Sequence, residues 1–287
     1  MKYRSLGSLT VSAIGLGGMP MSVQGRKDRE TSIATIHAAL DAGLTLIDTA
    51  NSYHLDSDDG IGHNEILIAE ALRSYGGDTS GVVVATKGGT IHRDEGPWGL
   101  EGSPEALHRA ARESAERLGV EVIDLYQHHR PDPSVPYEET MGGLRDLVDQ
   151  GIIRFAGISN ANPDQIRTAH EILGERLVSV QNQFSPEFRS SEPELELCDS
   201  LGIAFLPWSP LGGIKRAPGL GEERTAFREI ADDRGVSPQQ VALAWELALS
   251  ERVIPIPGAS RPESIVDSAR AADLELSEDE VRRLSAA

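Results

Sequence analysis

The sequence has a single cysteine, Cys198, in 287 residues, so no disulfide can form within the chain. A lone thiol argues for a reducing, cytoplasmic setting and against a disulfide-stapled secreted module. Basic residues are also in short supply, at 27 against 45 acidic, for a formal net charge of −18. Such a surface repels phosphate backbones and anionic lipid heads, so neither nucleic acid nor a membrane surface is expected as a partner. No apolar run approaches membrane-spanning length, and the opening "MKYRSLGSLTVSAIG" lacks the hydrophobic core of a signal peptide. No proline- or serine-rich linker interrupts the chain, so residues 1–287 are expected to form one domain. Nothing in either terminus suggests an extension for docking an obligate protein partner.

What is present is a repeated alternation of short apolar runs and longer helical patterns. The candidate strands are "AIGLG" (13–17), "LTLID" (44–48), "VVVATK" (82–87), "VIDLYQHH" (122–129), "IIRFAGIS" (152–159), "LVSVQN" (177–182), "IAFLPW" (203–208) and "VIPI" (253–256). They are continuously apolar, as strands buried on both faces should be. Helix starts lie between them. Ser103 before Pro104 and Asn162 before Pro163 read as N-caps followed by proline at the first helical position. "SPQQ" (237–240), "SRPE" (260–263) and "SEDE" (277–280) match the capping-box pattern. Eight strand–helix units imply a closed (β/α)8 TIM barrel. The extra strand-like residues of "KYRSLGSLTVS" predict an N-terminal β-hairpin closing the barrel bottom.

Several stretches resemble functional motifs and are refused. "GLGGMP" (15–20) has Pro20 where a dinucleotide fingerprint needs glycine or alanine, and no helix pattern opens after it. "HLDSDDGIGHNE" (54–65) misses the alternating spacing of an EF-hand and reads as a mobile rim loop, and "GHNE" has no second histidine to make a zinc helix. No metal site is therefore expected. His37, His63, His92, His108 and His170 are scattered and read as surface residues, and Cys198 sits on a probable helix as a core residue. Trp98, in the long connection "HRDEGPWGLEGSPE" (92–105), occupies a position where barrels carry active-site loops, and is a candidate wall of a substrate pocket.

In a barrel the chemistry belongs at the carboxyl ends of the strands. Asp48 ends one strand, Lys87 the next, His128 and His129 the third, and Asn160 follows the fourth. Charged groups ending buried strands are costly unless paired. Of the two histidines, strand alternation allows only one to face a reaction centre.

The stretches "GLTLIDTANSY", "VVVATKGG", "IDLYQHHRPD", "GISNANPDQI", "VSVQNQFSP", "WSPLGG" and "IPIPGASRPESI", in this order over nearly the whole length, resemble the aldo-keto reductases. That family reduces carbonyls with NAD(P)(H) on a (β/α)8 barrel. The resemblance implies a catalytic set of Asp48, Tyr53, Lys87 and His129. It selects His129 as the functional histidine, whereas His128 stands in a usually apolar slot, either packed outward on a helix as a satisfied, half-buried side chain or beside the site as a departure from the family pattern. A phenol is a weak acid, with a pKa of about 10. An ammonium at about 4 Å is worth roughly 4 kcal/mol at an effective dielectric near 20, enough to bring Tyr53 toward the working range. Asp48 would keep Lys87 protonated, and His129 would hydrogen-bond the substrate carbonyl.

The resemblance also implies a cofactor site. Gly18 and Met19 would lie under the cofactor. Ser159, Asn160 and Gln181 would hold the nicotinamide carboxamide, and Trp208 would stack on the ring. Ser209, Pro210, Leu211 and Gly213 would wrap the pyrophosphate, with Lys215 adding charge. In "GASRPESI" (258–265) a helix start offers N–H groups and the positive end of its dipole to an anion. Arg261 in that first turn is unfavourable unless a phosphate is bound there. NADP(H) is therefore favoured over NAD(H), with Ser260 and Arg261 taking the 2′-phosphate, Asp267 near the adenine amino group, and Gly258 also in the cofactor site. Ser264 and Ser268 depart from the family pattern, which often has a basic residue and an asparagine there. The expected substrate is a small aldehyde or ketone. Two other readings compete: a nicotinamide-sensing binding protein of the same fold, and a Schiff-base aldolase using Lys87.

Overall fold

The computed structural model describes residues 1–55, 60–91 and 98–287. Two short strands come first, β1 (Tyr3–Leu6) and β2 (Leu9–Ser12), paired antiparallel. Their turn contains Gly7 at a φ of +60°, where an added Cβ would also lie 2.5 Å from Val178. This is the expected hairpin. Then follow β3 (Leu16–Gly17), α1 (Arg29–Asp41), β4 (Leu46–Asp48), α2 (His63–Ser74), β5 (Val83–Gly88), a two-stranded ribbon of β6 (Thr90–Ile91) and β7 (Gly99–Leu100), α3 (Pro104–Leu118), β8 (Ile123–His128) and α4 (Tyr137–Asp149). The second half contains β9 (Ile153–Ser159), α5 (Pro163–Leu173), β10 (Leu177–Gln181), α6 (Glu192–Leu201), β11 (Ala204–Phe205), α7 (Leu220–Glu223), α8 (Thr225–Arg234), α9 (Pro238–Leu249), α10 (Pro262–Arg270) and α11 (Glu278–Ser285).

Seven parallel strands pair in the order β11, β10, β9, β8, β5, β4, β3. The expected eighth strand, at 253–256, forms no regular ladder. The segment nevertheless joins both edges of the sheet. Ile254 and Ile256 donate to the carbonyls of Phe205 and Pro207, while Gly15 and Gly17 donate to those of Pro255 and Pro257. Isolated parallel bridges link Phe205 to Val253 and Gly17 to Gly258. Pro255 and Pro257 have no N–H to give back, so the ladder toward β3 runs one way only. The barrel closes on a seam with half its usual hydrogen bonds.

Local chemistry explains the helix starts. The side chain of Ser103 accepts from Ala106 N–H and that of Ser237 from Gln240 N–H. Asn162 with Gln165, and Ser277 with Glu280, complete reciprocal capping boxes. Of the three boxes expected from the sequence only 277–280 is complete: Gln240 turns its side chain to Asp267 instead of back to Ser237, and the N-cap of α10 is Arg261 rather than Ser260, with no side chain capping it. An extended backbone at Arg261, with Pro262 next, starts the helix one residue later than the pattern suggests.

The barrel interior is layered. Leu46, Ala85, Leu125, Leu206, Ile254 and Ile256 form an apolar lower layer, plugged from below by Leu6 and Val11 of the hairpin. Outward-facing Tyr126, Ile158, Val180 and Phe205 pack on the helices in the largest core cluster, where Trp245 of α9 stacks on Phe184 with ring centroids 5.8 Å apart. Among the described residues no helix is long and apolar enough to cross a membrane.

The seam sets a steric limit. An added Cβ at Gly17 would lie 2.8 Å from the carbonyl oxygen of Ile256 and 3.2 Å from Gly258, both backbone atoms that cannot rotate away. Gly17→Ala is expected to cost about 1–3 kcal/mol, the usual range for overpacking. An unchanged urea midpoint would show that the seam yields freely.

Candidate active site

Above the apolar layer the interior turns polar at the carboxyl ends of five strands, β4, β5, β8, β9 and β10. Lys87, fully buried on β5, donates to Asp48 Oδ2 at 2.6 Å, to the Thr49 carbonyl at 2.9 Å and to the Tyr53 hydroxyl at 3.3 Å. An ammonium has three N–H bonds, and each finds an acceptor. The other oxygen of Asp48 accepts from Gln181 Nε2 at 2.7 Å and Gln127 Nε2 at 3.2 Å. Ser159 Oγ donates to the Gln181 carbonyl at 2.7 Å, and Ser179 Oγ to Gln127 at 3.3 Å. Room for this layer comes from β9: a Cβ at Gly157 would strike Ser179 Oγ and Gln127.

Tyr53 stands on the loop after β4, with Lys87 Nζ 5.2 Å from its ring centroid. Its phenol does not drop toward neutrality as the sequence suggested. Burial pushes its pKa above the ordinary value and outweighs the opposing Lys87 ammonium, while Asp48 pushes it further up. The lysine is one half of a nearly neutral pair, so its field at the phenol is weakened. Burial pulls Lys87 the other way, but Asp48 and Tyr53 more than compensate and hold it above its usual value. The lysine stays charged and the phenol protonated.

Strand alternation settles the histidines. Gln127 of β8 points into the barrel to Asp48, so His129, two residues on, shares its side. Its ring meets the Tyr53 ring edge-on at 5.8 Å, and both side chains line one cleft. Burial, then Lys87, Arg130 and His128, hold its pKa well below the ordinary range, so the imidazole is neutral. His128 points outward to Tyr137 of α4, with ring centroids 6.1 Å apart. It is not the half-buried, satisfied residue expected: it is fully buried, and neither ring nitrogen has a partner among the described residues. Burial lowers its pKa to about 4, against a smaller upward pull from Asp132.

The cleft gathers most of the sequence-predicted residues. Met19, Asp48, Tyr53 and His129 line it with Ser159, Asn160 and Gln181, and so do Trp208, Ser209, Pro210, Leu211, Gly213 and Gly258. Asn160 adopts a φ of +56°, uncommon outside glycine, with its Nδ2 donating to the His129 carbonyl at 3.0 Å. Ser209 is likewise left-handed at +53°, followed by Gly212 at +80° and Gly213 at +96°. Trp98 lines the cleft as anticipated.

Other expected residues lie elsewhere. Gly18 packs on Asn64, and its neighbour Gly17 lines the cleft instead. Lys215 is exposed and outside it. The lining stops at Gly258, so Ser260, Arg261, Ser264 and Ser268 lie beyond it at and along α10. Asp267, expected at the adenine, instead accepts from Ser237 Oγ and Gln240 Nε2, both at 2.6 Å, and ties α10 to α9. Gln127 was missed, although alternation back from His129 points to it. Arg130, Ile214, Ala217 and Pro257 also line the cleft without a sequence signal that singled them out.

Of the refused stretches, residues 56–59 of the acidic loop and His92 lie outside the described residues. Glu65 is buried and paired with Arg117 at 2.6 Å. Cys198 is buried, which raises its thiol pKa and suits the core role assigned to it.

A model of the Aldo/keto reductase family matches residues 13–287. An uncharacterized oxidoreductase of Schizosaccharomyces pombe is 35% identical over 97% of this chain and 87% of its own length. The 6-dehydroglucose reductase of Novosphingobium aromaticivorans is 34% identical over 94% of this chain and 90% of its own. Among solved structures, an aldo/keto reductase from Klebsiella pneumoniae in complex with NADP and acetate matches with a TM-score of 0.80 at 28% identity, covering 96% of this chain and 91% of that one.

The buried His128 gives a pH signature. Its folded pKa lies below the unfolded value of about 6.5, so its stabilising contribution is complete above that value. It is lost as pH falls toward the folded pKa of about 4. Between about pH 7.5 and pH 5 this amounts to about 2 kcal/mol. His128→Phe is expected to lose that much less stability than the wild type over the same interval. Equal acid sensitivity in urea titrations of the two proteins would refute it.

Proposed function

Because the chain belongs to the aldo-keto reductase family and is an oxidoreductase, we propose that it transfers a hydride between NADP(H) and the carbonyl of a small aldehyde or ketone. The observation that carries this is Lys87 Nζ, bonded at once to Asp48 and to the hydroxyl of Tyr53 in the cleft. We read residues 1–287 as one domain working in the cytoplasm, a setting that suits its lone, fully buried thiol.

The residues present fit a nicotinamide cofactor. Trp208 offers a plane in the cleft and a buried Nε1 with no partner among the described residues. Gln181 spends its Nε2 on Asp48, which leaves its oxygen to accept from a carboxamide. The left-handed backbone at Ser209, Gly212 and Gly213 makes a turn able to aim amides at a pyrophosphate. The uncapped first turn of α10, with Arg261 at its start, suits the 2′-phosphate. Lys215 and Ser260 flank these two regions. When bound, the cofactor supplies hydride to the carbonyl carbon.

The chain's own residues manage the proton. Tyr53 donates its O–H to the carbonyl oxygen as negative charge develops there. Its raised pKa keeps the proton in place until that stronger base forms. Lys87, 3.3 Å away, then faces the phenolate and stabilises it in a largely buried position. His129, neutral, hydrogen-bonds the same oxygen and orients the carbonyl. A lysine held charged by three acceptors is a poor amine nucleophile, which argues against the Schiff-base reading.

Tyr53→Phe is expected to lower kcat for aldehyde reduction by about a hundredfold or more, the scale of lost general-acid catalysis. The NADPH dissociation constant should stay within about threefold, since the substitution leaves the proposed cofactor wall intact. Wild-type turnover in that variant would remove Tyr53 from the reaction. The phosphate assignment has its own check. Arg261→Ala should weaken NADPH by about tenfold and NADH little, as one charge-assisted contact predicts. Equal affinities for both cofactors in wild type and variant would end the preference for NADP(H).

A further inference from the structure

The residue after His129 is held on a fixed backbone. His129 N–H donates to the Gly88 carbonyl at 2.9 Å, and the His129 carbonyl accepts from Asn160 Nδ2 at 3.0 Å. The side chain that follows, Arg130, lines the same cleft as Tyr53, Trp98 and His129. Among the described residues two charged ones line that cleft, Asp48 and Arg130. Asp48 is neutralised by Lys87 at 2.6 Å, so among the described residues the guanidinium is the charge left uncompensated there.

Its place in the cleft sets it apart from the other arginines of the described residues. With 45 acidic residues against 27 basic ones, many exposed arginines find carboxylates, as Arg234 does with Glu280 and Arg109 with Glu101, and those that do not, such as Arg73, Arg228 and Arg270, lie outside the cleft. Arg130 is exposed and has no hydrogen bond or ion pair with any described residue. A cation left unpaired at the mouth of a reaction cleft, on a strongly acidic protein, is placed to attract an anion against the global field. Arginine suits a carboxylate better than lysine does, because its planar fork can engage both oxygens. Its positive field already reaches the neighbouring Tyr53 and His129, opposing protonation of the imidazole.

We infer that Arg130 is a specificity residue, and that the cleft selects aldehydes or ketones carrying a carboxylate that its guanidinium can clasp while the carbonyl faces Tyr53 and His129. This rests on the carbonyl-reductase reading above, and the test separates the two. In the full-length protein with NADPH, kcat/KM is measured for para-formylbenzoate and for its uncharged isostere para-formylbenzamide. The ratio of the two values cancels any effect of Arg130 on Tyr53, since both aldehydes share it. Arg130→Gln is expected to lower that ratio about tenfold, equivalent to about 1.4 kcal/mol. Raising the salt concentration should lower the ratio in the wild type and not in the variant. A ratio that moves less than about twofold overturns the inference, including the case in which NADPH binding alone weakens and Arg130 proves to serve the cofactor. If neither aldehyde is reduced, the reductase reading falls, and Arg130 is judged by calorimetric binding of terephthalate. A weakening of about tenfold in Arg130→Gln sustains the anion site, and an unchanged constant sinks it.

Discussion

A fully buried ammonium organises the upper half of this barrel. Removing a cation from water costs several kcal/mol even after relaxation, and the cost is recovered only with excellent geometry and complete hydrogen bonding. Lys87 has both: a carboxylate, a backbone carbonyl and a phenol each take one of its N–H bonds. Asp48 must then stay charged out of contact with bulk water, and it does so by accepting from Gln127 and Gln181 as well. The single cation thereby draws β4, β5, β8 and β10 into one polar layer. Gly157 on β9 is part of the same arrangement, because any side chain there would occupy the space of Ser179 and Gln127.

The pairing that makes the lysine affordable also mutes it. A lone cation beside the phenol would make it strongly acidic, but the Asp48/Lys87 pair presents a dipole, and burial dominates. The phenol rests with its proton on. That state suits a group whose partner is a developing alkoxide, a far stronger base than water. The neighbouring imidazole is likewise kept neutral, so among the described residues charge in the cleft is confined to the compensated pair and to Arg130. On the proposed reading, a neutral reaction centre beside that guanidinium would give the cleft a direction, with the charged end of a substrate at the rim and the reacting carbonyl inside.

The lower half is governed by packing. Leu6 and Val11 fill the bottom of the barrel from the hairpin, and the last strand position is held by a proline-interrupted segment. That irregular seam has a use. It brings Gly17 and Gly258 into backbone contact beneath the cleft and leads directly into the uncapped start of α10. The place where the ladder is weakest is the place where a ligand's phosphate would approach the backbone.

Much of this was legible in the amino-acid order. Continuous apolar runs separated by capped helices implied eight strand–helix units, and polar residues ending those runs marked Asp48, Lys87 and His129, because a charge at the end of a buried strand needs a reason. Local chemistry determines such features: a cap depends on neighbours three residues away, and a strand's buried character on its own side chains. What depends on distant partners was not readable. The reach of Asp267 to α9 rather than outward, the loss of the Ser260 cap to an extended Arg261, the unsatisfied burial of His128 and the net rise of the Tyr53 pKa all follow from which groups meet across the fold. Arg130 is the clearest case. Its sequence neighbours say nothing of whether a carboxylate will meet it, and only the closed barrel decides that none among the described residues does.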